Sequence, residues 1–204
     1  MFIAFAGIPG IGKSSTARAL GIRLDVPYFL EPAEVDWSPL IMHKDVTGHF
    51  TAMTWCRQNR VPCYVKARDI ADRGGTAIVD SYFDKLWEPC MHEACFSWLI
   101  PKSDPYFEVA RQMAKVDLEE LPVADMLIFL KAEQSLWLRL LRTRGSLAFG
   151  ALKLHQFFDM QAHMERACRM VCAAQGTRLQ IIEQRWGSPE ETADEILQGM
   201  KEHV

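Results

Sequence analysis

The stretch that most restricts this chain is Gly7-Ile8-Pro9-Gly10-Ile11-Gly12-Lys13-Ser14, which satisfies every fixed position of the pattern G-x-x-x-x-G-K-[ST]. Glycines let such a loop wrap closely around phosphate oxygens, while its amides and the N-terminus of the following helix supply positive potential. Lys13 then reaches the β- and γ-phosphates, Ser14 offers a hydroxyl to Mg²⁺, and Gly7, Gly10, Gly12 and Ser15 complete the nucleotide cradle. The flanks agree with this reading. Phe2 to Ala6 is an apolar run suited to a buried parallel strand, and Ser14 to Leu24 spaces Ala17, Leu20, Ile22 and Leu24 as a helix does. A chance glycine-rich turn lacks that order of strand, loop, Lys-Ser and helix.

A chain of 204 residues, 49% hydrophobic, is long enough for one well-buried core, so residues 1–204 are expected to form a single domain. Its net charge of −3 gives no overall pull toward nucleic acid or an anionic membrane, and any polyanion must be met by local arginines. The six cysteines, at 56, 63, 90, 95, 168 and 172, form no C-x-x-C pair, as expected of reduced thiols in a cytoplasmic protein. Cys90, His92 and Cys95 match no standard zinc spacing, and Cys168 and Cys172, four apart on a helix, are expected to face the core. No run is long enough to span a membrane. The apolar N-terminus lacks a basic leader and is broken by Gly7, Pro9, Gly10 and Lys13, which makes it a strand rather than a signal segment.

Val26 to Leu30 reads as a second strand ending at Glu31-Pro32, which sets a carboxylate at a strand's C-terminal edge. In an open parallel sheet ligands lie beyond those edges, so Glu31 is a candidate base for a hydroxyl attacking a γ-phosphate; the alternative is a solvated acidic loop with Glu34 and Asp36. Residues 37–50 read as a loop or short helix over the site. From Phe50 to Arg73 the pattern is helical with an interruption near Pro62, and most of Arg57, Arg60, Arg68 and Arg73 are expected in solvent. Gly74-Gly75 closes that helix, and Thr76 to Val79 is a β-branched strand ending on Asp80. Asp80 is either the carboxylate that supports Mg²⁺ or orients substrate, or simply a strand terminus.

Residues 81–122 are rich in aromatics (Tyr82, Phe83, Trp87, Phe96, Trp98, Tyr106, Phe107), suited to a core or to a wall on which a planar base stacks. Ala124 to Lys131 is the fourth strand and Gln134 to Arg144 the next helix. Arg139, Arg142 and Arg144 sit where a closing lid brings guanidinium groups onto phosphate, or where basic residues compensate a helix dipole. A helix over 154–174, a fifth strand from Leu179 to Glu183 and a last helix from Pro189 to Met200, opened by a Ser188–Glu191 capping box, complete the chain. The expected fold is therefore α/β: a doubly wound, five-stranded parallel sheet of the P-loop type with a helical lid.

The opening through Ser15, Glu31-Pro32 followed by Trp37, the strand-end Asp80 and the arginine-rich lid together resemble the deoxynucleoside kinase and thymidylate kinase group, over nearly the whole chain. The resemblance implies that Glu31 is the base for a sugar 5′-hydroxyl, with Trp37 lining the acceptor pocket. It implies ATP and Mg²⁺ as co-substrate and metal, and a nucleoside, in that family a deoxynucleoside, as acceptor. Leu30 and Ser81 stand where the monophosphate kinases of the group carry arginine, which leaves Arg57 as the candidate clamp for an acceptor phosphate. The leading expectation is ATP-dependent phosphorylation of a nucleoside, with Lys13, Arg142 and Arg144 neutralising the transferring phosphoryl and Glu31 and Asp80 acting on acceptor and metal. The alternatives are a nucleoside monophosphate kinase and a nucleotide-binding regulatory protein without turnover. Both a monomer and a homodimer are compatible with the sequence.

Overall fold

The structure is a computed structural model that describes residues 1–33, 48–144 and 154–201. Its centre is one five-stranded sheet: β1 (Phe2–Ala6), β2 (Tyr28–Phe29), β3 (Ala77–Val79), β4 (Met126–Lys131) and β5 (Arg178–Glu183), in the order β2-β3-β1-β4-β5. Every pairing is parallel. The α/β sheet expected from the sequence is therefore present. β1 lies centrally, and all five of its residues are buried, which is why it reads as a continuous apolar run rather than an alternating one.

The helices are α1 (Lys13–Leu24), α2 (His49–Asp72), α3 (Phe83–Cys90), α4 (Phe107–Glu120), α5 (Gln134–Arg144), α6 (Leu154–Gln175) and α7 (Pro189–Lys201), with a 3₁₀ turn at Ala94–Phe96. The capping box of α7 forms in both directions: the Glu191 amide donates to Ser188 Oγ and the Ser188 amide to Glu191 Oε2, each at 3.3 Å. Cys168 and Cys172 are buried on α6, as their spacing predicts. Among the described residues no helix is long and apolar enough to cross a membrane.

Two expectations need correction. Pro62 does not interrupt the second helix: α2 runs unbroken for 24 residues with Pro62 inside it. Pro62 and Gln58, whose carbonyl loses its helical donor, both lie on the exposed side of the helix, where such a loss costs least. β2 is also shorter than the apolar run 26–30. Asp25 adopts the left-handed conformation at the C-cap of α1 and the Val26 amide still bonds Gly21 O, so residues up to Val26 belong to the helix ending.

The pairing of β2 with β3 decides where the site forms. Tyr28 pairs with Ile78 and Phe29 with Val79, and the Asp80 amide continues the ladder onto Phe29 O. Glu31 and Asp80 are thereby delivered side by side at the C-terminal edge of the sheet, beside the loop that leaves β1.

Candidate active site

The phosphate loop connects β1 to α1, and Lys13 opens the helix directly behind Gly12. Lys13 Nζ folds back onto the carbonyls of Gly7 (3.0 Å) and Ile8 (3.3 Å), which places the ammonium inside the curl of the loop. Ser14 Oγ donates to Asp80 Oδ2 at 2.5 Å, and the Glu31 amide donates to Asp80 Oδ1 at 2.9 Å. Asp80 thus links the loop hydroxyl to the residue at the end of β2. It is 1% exposed; burial and the nearby Glu31 carboxylate push its carboxyl up to about 6, against the opposing pull of Ser14, the Glu31 amide and Lys13. A buried carboxylate held against a serine hydroxyl, with a raised proton affinity, is a donor set suited to a small hard cation. Ser14 and Asp80 fit Mg²⁺ on that ground.

The Glu31 side chain is partly exposed and accepts at 2.9 Å from Arg60 Nη1. Arg60 is the residue the sequence reading misplaced. It is not solvated: its side chain is 10% exposed and its guanidinium forks onto Asp84, Nε to Oδ2 at 2.6 Å and Nη2 to Oδ1 at 2.9 Å. Tyr64 Oη donates to the same carboxylate at 2.8 Å. Burial alone disfavours charge on both partners, yet each outweighs it for the other: the Arg60 pKa is held well above its ordinary value, and the Asp84 pKa below the usual carboxylate range. Arg57, one turn earlier, forks onto Asp117 of α4 with two bonds of 2.6 Å. Arg68 is likewise engaged, with Asp72 and Asp125, leaving Arg73 as the member of the four that is largely in solvent.

Beside these ion pairs Met53, Arg57, Arg60, Phe83, Asp84, Trp87, Leu99, Met113 and Asp117 line a cavity of about 10 Å³, little more than the room for one water. The Arg60 guanidinium lies over the Phe83 ring, 5.6 Å from its centroid, and Phe83 packs against Trp87 and Phe96. The aromatics of 81–122 serve the core: Tyr82, Trp87, Phe96 and Phe107 are buried, and Phe83 and Trp87 also line this cavity. The buried Trp87 indole N–H has no hydrogen-bond partner among the described residues.

On the opposite side of the loop, α5 carries Arg139 and Arg142, both exposed. The Arg139 guanidinium lies over the Trp186 ring at 3.3 Å from its centroid, so α5 and the loop after β5 meet there. Arg144 ends α5. Trp37 lies outside the described residues, as do residues 145–153, where the sequence leads to the expectation of a lid. Ser15 is exposed in the first turn of α1. Gly7, Gly10, Gly12, Lys13, Ser14, Glu31 and Asp80 are brought together as expected, whereas Arg57 is committed to Asp117. Arg60, Asp84 and Tyr64 were missed. A signal for Arg60 existed, because it is in phase with the buried Met53, Tyr64 and Ala67 on one face of α2.

No family model matches the chain, and no curated protein matches it. Solved structures do. A deoxyadenosine kinase from M. mycoides with bound dATP superposes with a TM-score of 0.73 at 13% identity, over 98% of this chain and 99% of that one. A thymidylate kinase from Candida albicans gives 0.61 at 15% identity over 99% and 91%, and one from Ehrlichia chaffeensis 0.55 at 12% over 98% and 98%. At these identities the likeness is one of fold, and it spans the whole chain. The structural neighbours are those of the P-loop deoxynucleoside and thymidylate kinase group, as the sequence resemblance implied.

Proposed function

We propose that this chain transfers the γ-phosphoryl group of ATP to a hydroxyl of a nucleoside, with Glu31 as the base. The observation that carries this reading is the continuous chain Ser14–Asp80–Glu31–Arg60, which ties the phosphate loop, a carboxylate suited to Mg²⁺ and a partly exposed carboxylate into one hydrogen-bonded edge. Ser14 and Asp80 would hold Mg²⁺, which would supply charge neutralisation at the phosphates. Loop amides and Lys13 would hold the same phosphates, and Arg142 and Arg144, in the last turn of α5, are the candidates to neutralise the phosphoryl group in transit. Glu31, steadied by Arg60, accepts the proton of the attacking hydroxyl. The relatedness of the fold to nucleoside and nucleotide kinases supports the same chemistry.

Charge accounting favours an uncharged acceptor. A monophosphate brings about two negative charges and needs cations not already committed. On the acceptor side Arg60 is shared by Asp84 and Glu31, and Arg57 is bound to Asp117, so two guanidinium groups face three carboxylates. For the base, Phe83 and Trp87 offer ring faces and the Trp87 N–H an unused donor, once the small cavity beside them opens. The test is ADP release from Mg·ATP measured with a panel of ribo- and deoxynucleosides, their monophosphates, and no acceptor. Release that depends on a nucleoside supports the reading; nucleotide binding with no acceptor-dependent release from any member of the panel overturns it in favour of a regulatory protein.

A further inference from the structure

A phosphate cradle works only if its amides point inward, and in a trans peptide the carbonyl of the same plane then points outward, into the protein. Two outward carbonyls of this loop meet dedicated side-chain donors. Pro9 O accepts from Trp137 Nε1 at 2.8 Å, and Ile11 O accepts from Gln184 Nε2 at 3.3 Å. The planes they belong to also hold the amides of Gly10 and Gly12, so each donor fixes one amide on the opposite, cradle side. Both glycines are at positive φ (77° and 99°), where absence of a Cβ lets neighbouring peptide planes turn over at little cost. Without a donor on the carbonyl, the inward orientation of these amides is one of several.

The donors are themselves held. Trp137 is fully buried on α5, its ring packed on Phe158, and Leu141 one turn on packs so tightly over Gly10 that a Cβ there has no room. Gln184 is 9% exposed; its backbone N–H donates to Lys131 O at 2.7 Å, and its side-chain Oε1 accepts from Thr192 Oγ1 of α7 at 3.0 Å. Trp137 therefore connects the loop to the helix that bears Arg139 and Arg142, and Gln184 connects it to the end of β5.

We propose that Trp137 and Gln184 are positioning residues for the nucleotide, which set the Gly10 and Gly12 amides toward the phosphates by pinning the carbonyls of Pro9 and Ile11. This inference rests on the loop binding a nucleoside triphosphate, as proposed above. Trp137→Phe keeps the buried ring and removes the N–H, and Gln184→Met keeps length and removes both polar ends. The expected result is a rise of about tenfold in Kd for Mg·ATP, by titration calorimetry, in each variant. The KM for ATP should rise in step, with the KM for the acceptor within twofold of the parent. A general loss of structure would instead move both KM values, and circular dichroism at the assay temperature checks that each variant is folded. If Trp137→Phe fails to fold, Gln184→Met alone carries the test. Folded variants that bind Mg·ATP as tightly as the parent overturn the proposal, whereas a parent that binds no Mg·ATP overturns the underlying reading of the loop.

Discussion

Replacing Arg60 by Met probes the network that the site is built on. The substitution keeps an unbranched, volume-filling chain on α2 and deletes three bonds: two to Asp84 and one to Glu31. Asp84, 6% exposed, is then left with Tyr64 Oη as its remaining side-chain donor among the described residues. Breaking a buried pair by removing one partner costs about 3–5 kcal/mol, and the surviving Tyr64 bond argues for the lower part of that range, about 3–4 kcal/mol. For a chain of this length that is a fall in Tm of roughly 6–16 °C. The sign of its pH dependence is diagnostic. In the parent the Asp84 pKa is depressed, so its contribution to stability is present above the ordinary carboxylate pKa and is lost as pH falls through the folded value. In the variant burial becomes dominant and raises that pKa, so the variant gains stability as pH falls. The gap in Tm between parent and variant should therefore narrow steadily from pH 8 to pH 5 in denaturation scans. Adding Asp84→Met should restore part of the loss, because the buried carboxylate left without its partner is then removed. A gap under about 1 kcal/mol, or one that stays constant across this pH range, refutes the account of Arg60 as the buried partner of Asp84.

Other predictions concern the reacting groups. Lys13→Ala should lower kcat by about 10³-fold with Tm within a few degrees of the parent; turnover at the parental rate contradicts the phosphate-loop assignment. Glu31→Gln, which keeps an acceptor for Arg60 and removes basicity, should lower kcat by roughly 10²-fold with acceptor KM nearly unchanged, and an undiminished kcat returns Glu31 to a solvated loop. Asp80→Asn should abolish most turnover while making the nucleotide-free protein more stable at pH 7.5. The Asp80 pKa is raised from 3.8 to about 6, so its contribution to stability is full below 3.8 and lost as pH rises through about 6. Urea melts at pH 4.5 and 7.5 check this, and a variant that is less stable than the parent at pH 7.5 contradicts it.

Local signals carried most of the fold. The phosphate loop, the fully buried β1 and the capping box of α7 are properties of contiguous residues, so sequence order shows them directly. Strand-end carboxylates were legible because an apolar run that stops on Glu31 or Asp80 can put them only at the sheet's ligand edge. The identity of their partners was not. Arg60 meets Asp84 across 24 residues and Glu31 across 29, and Arg57 meets Asp117 across 60; no spacing rule relates such positions. Composition pointed the other way, since arginines on a long helix usually face water. Pro62 was misleading for a related reason: its rule describes the cost of a lost hydrogen bond, and that cost is small where the orphaned carbonyl is on the wet side of the helix. The donors behind the loop, Trp137 and Gln184, lie 128 and 173 residues from the carbonyls they hold, which puts them beyond any motif.

The central claim is transfer of phosphate from ATP to an uncharged nucleoside at the Glu31 edge of the sheet. Its most direct measurement is kcat/KM for matched pairs of a nucleoside and its own 5′-monophosphate, with Mg·ATP saturating and ionic strength fixed so that charge screening is equal in both arms. With Arg60 and Arg57 already neutralised by Glu31, Asp84 and Asp117, the account predicts that the nucleoside of each productive pair has the higher kcat/KM. A clear preference for the monophosphate would contradict it and would mean that Arg57 or Arg60 leaves its carboxylate partner to bind the acceptor's phosphate.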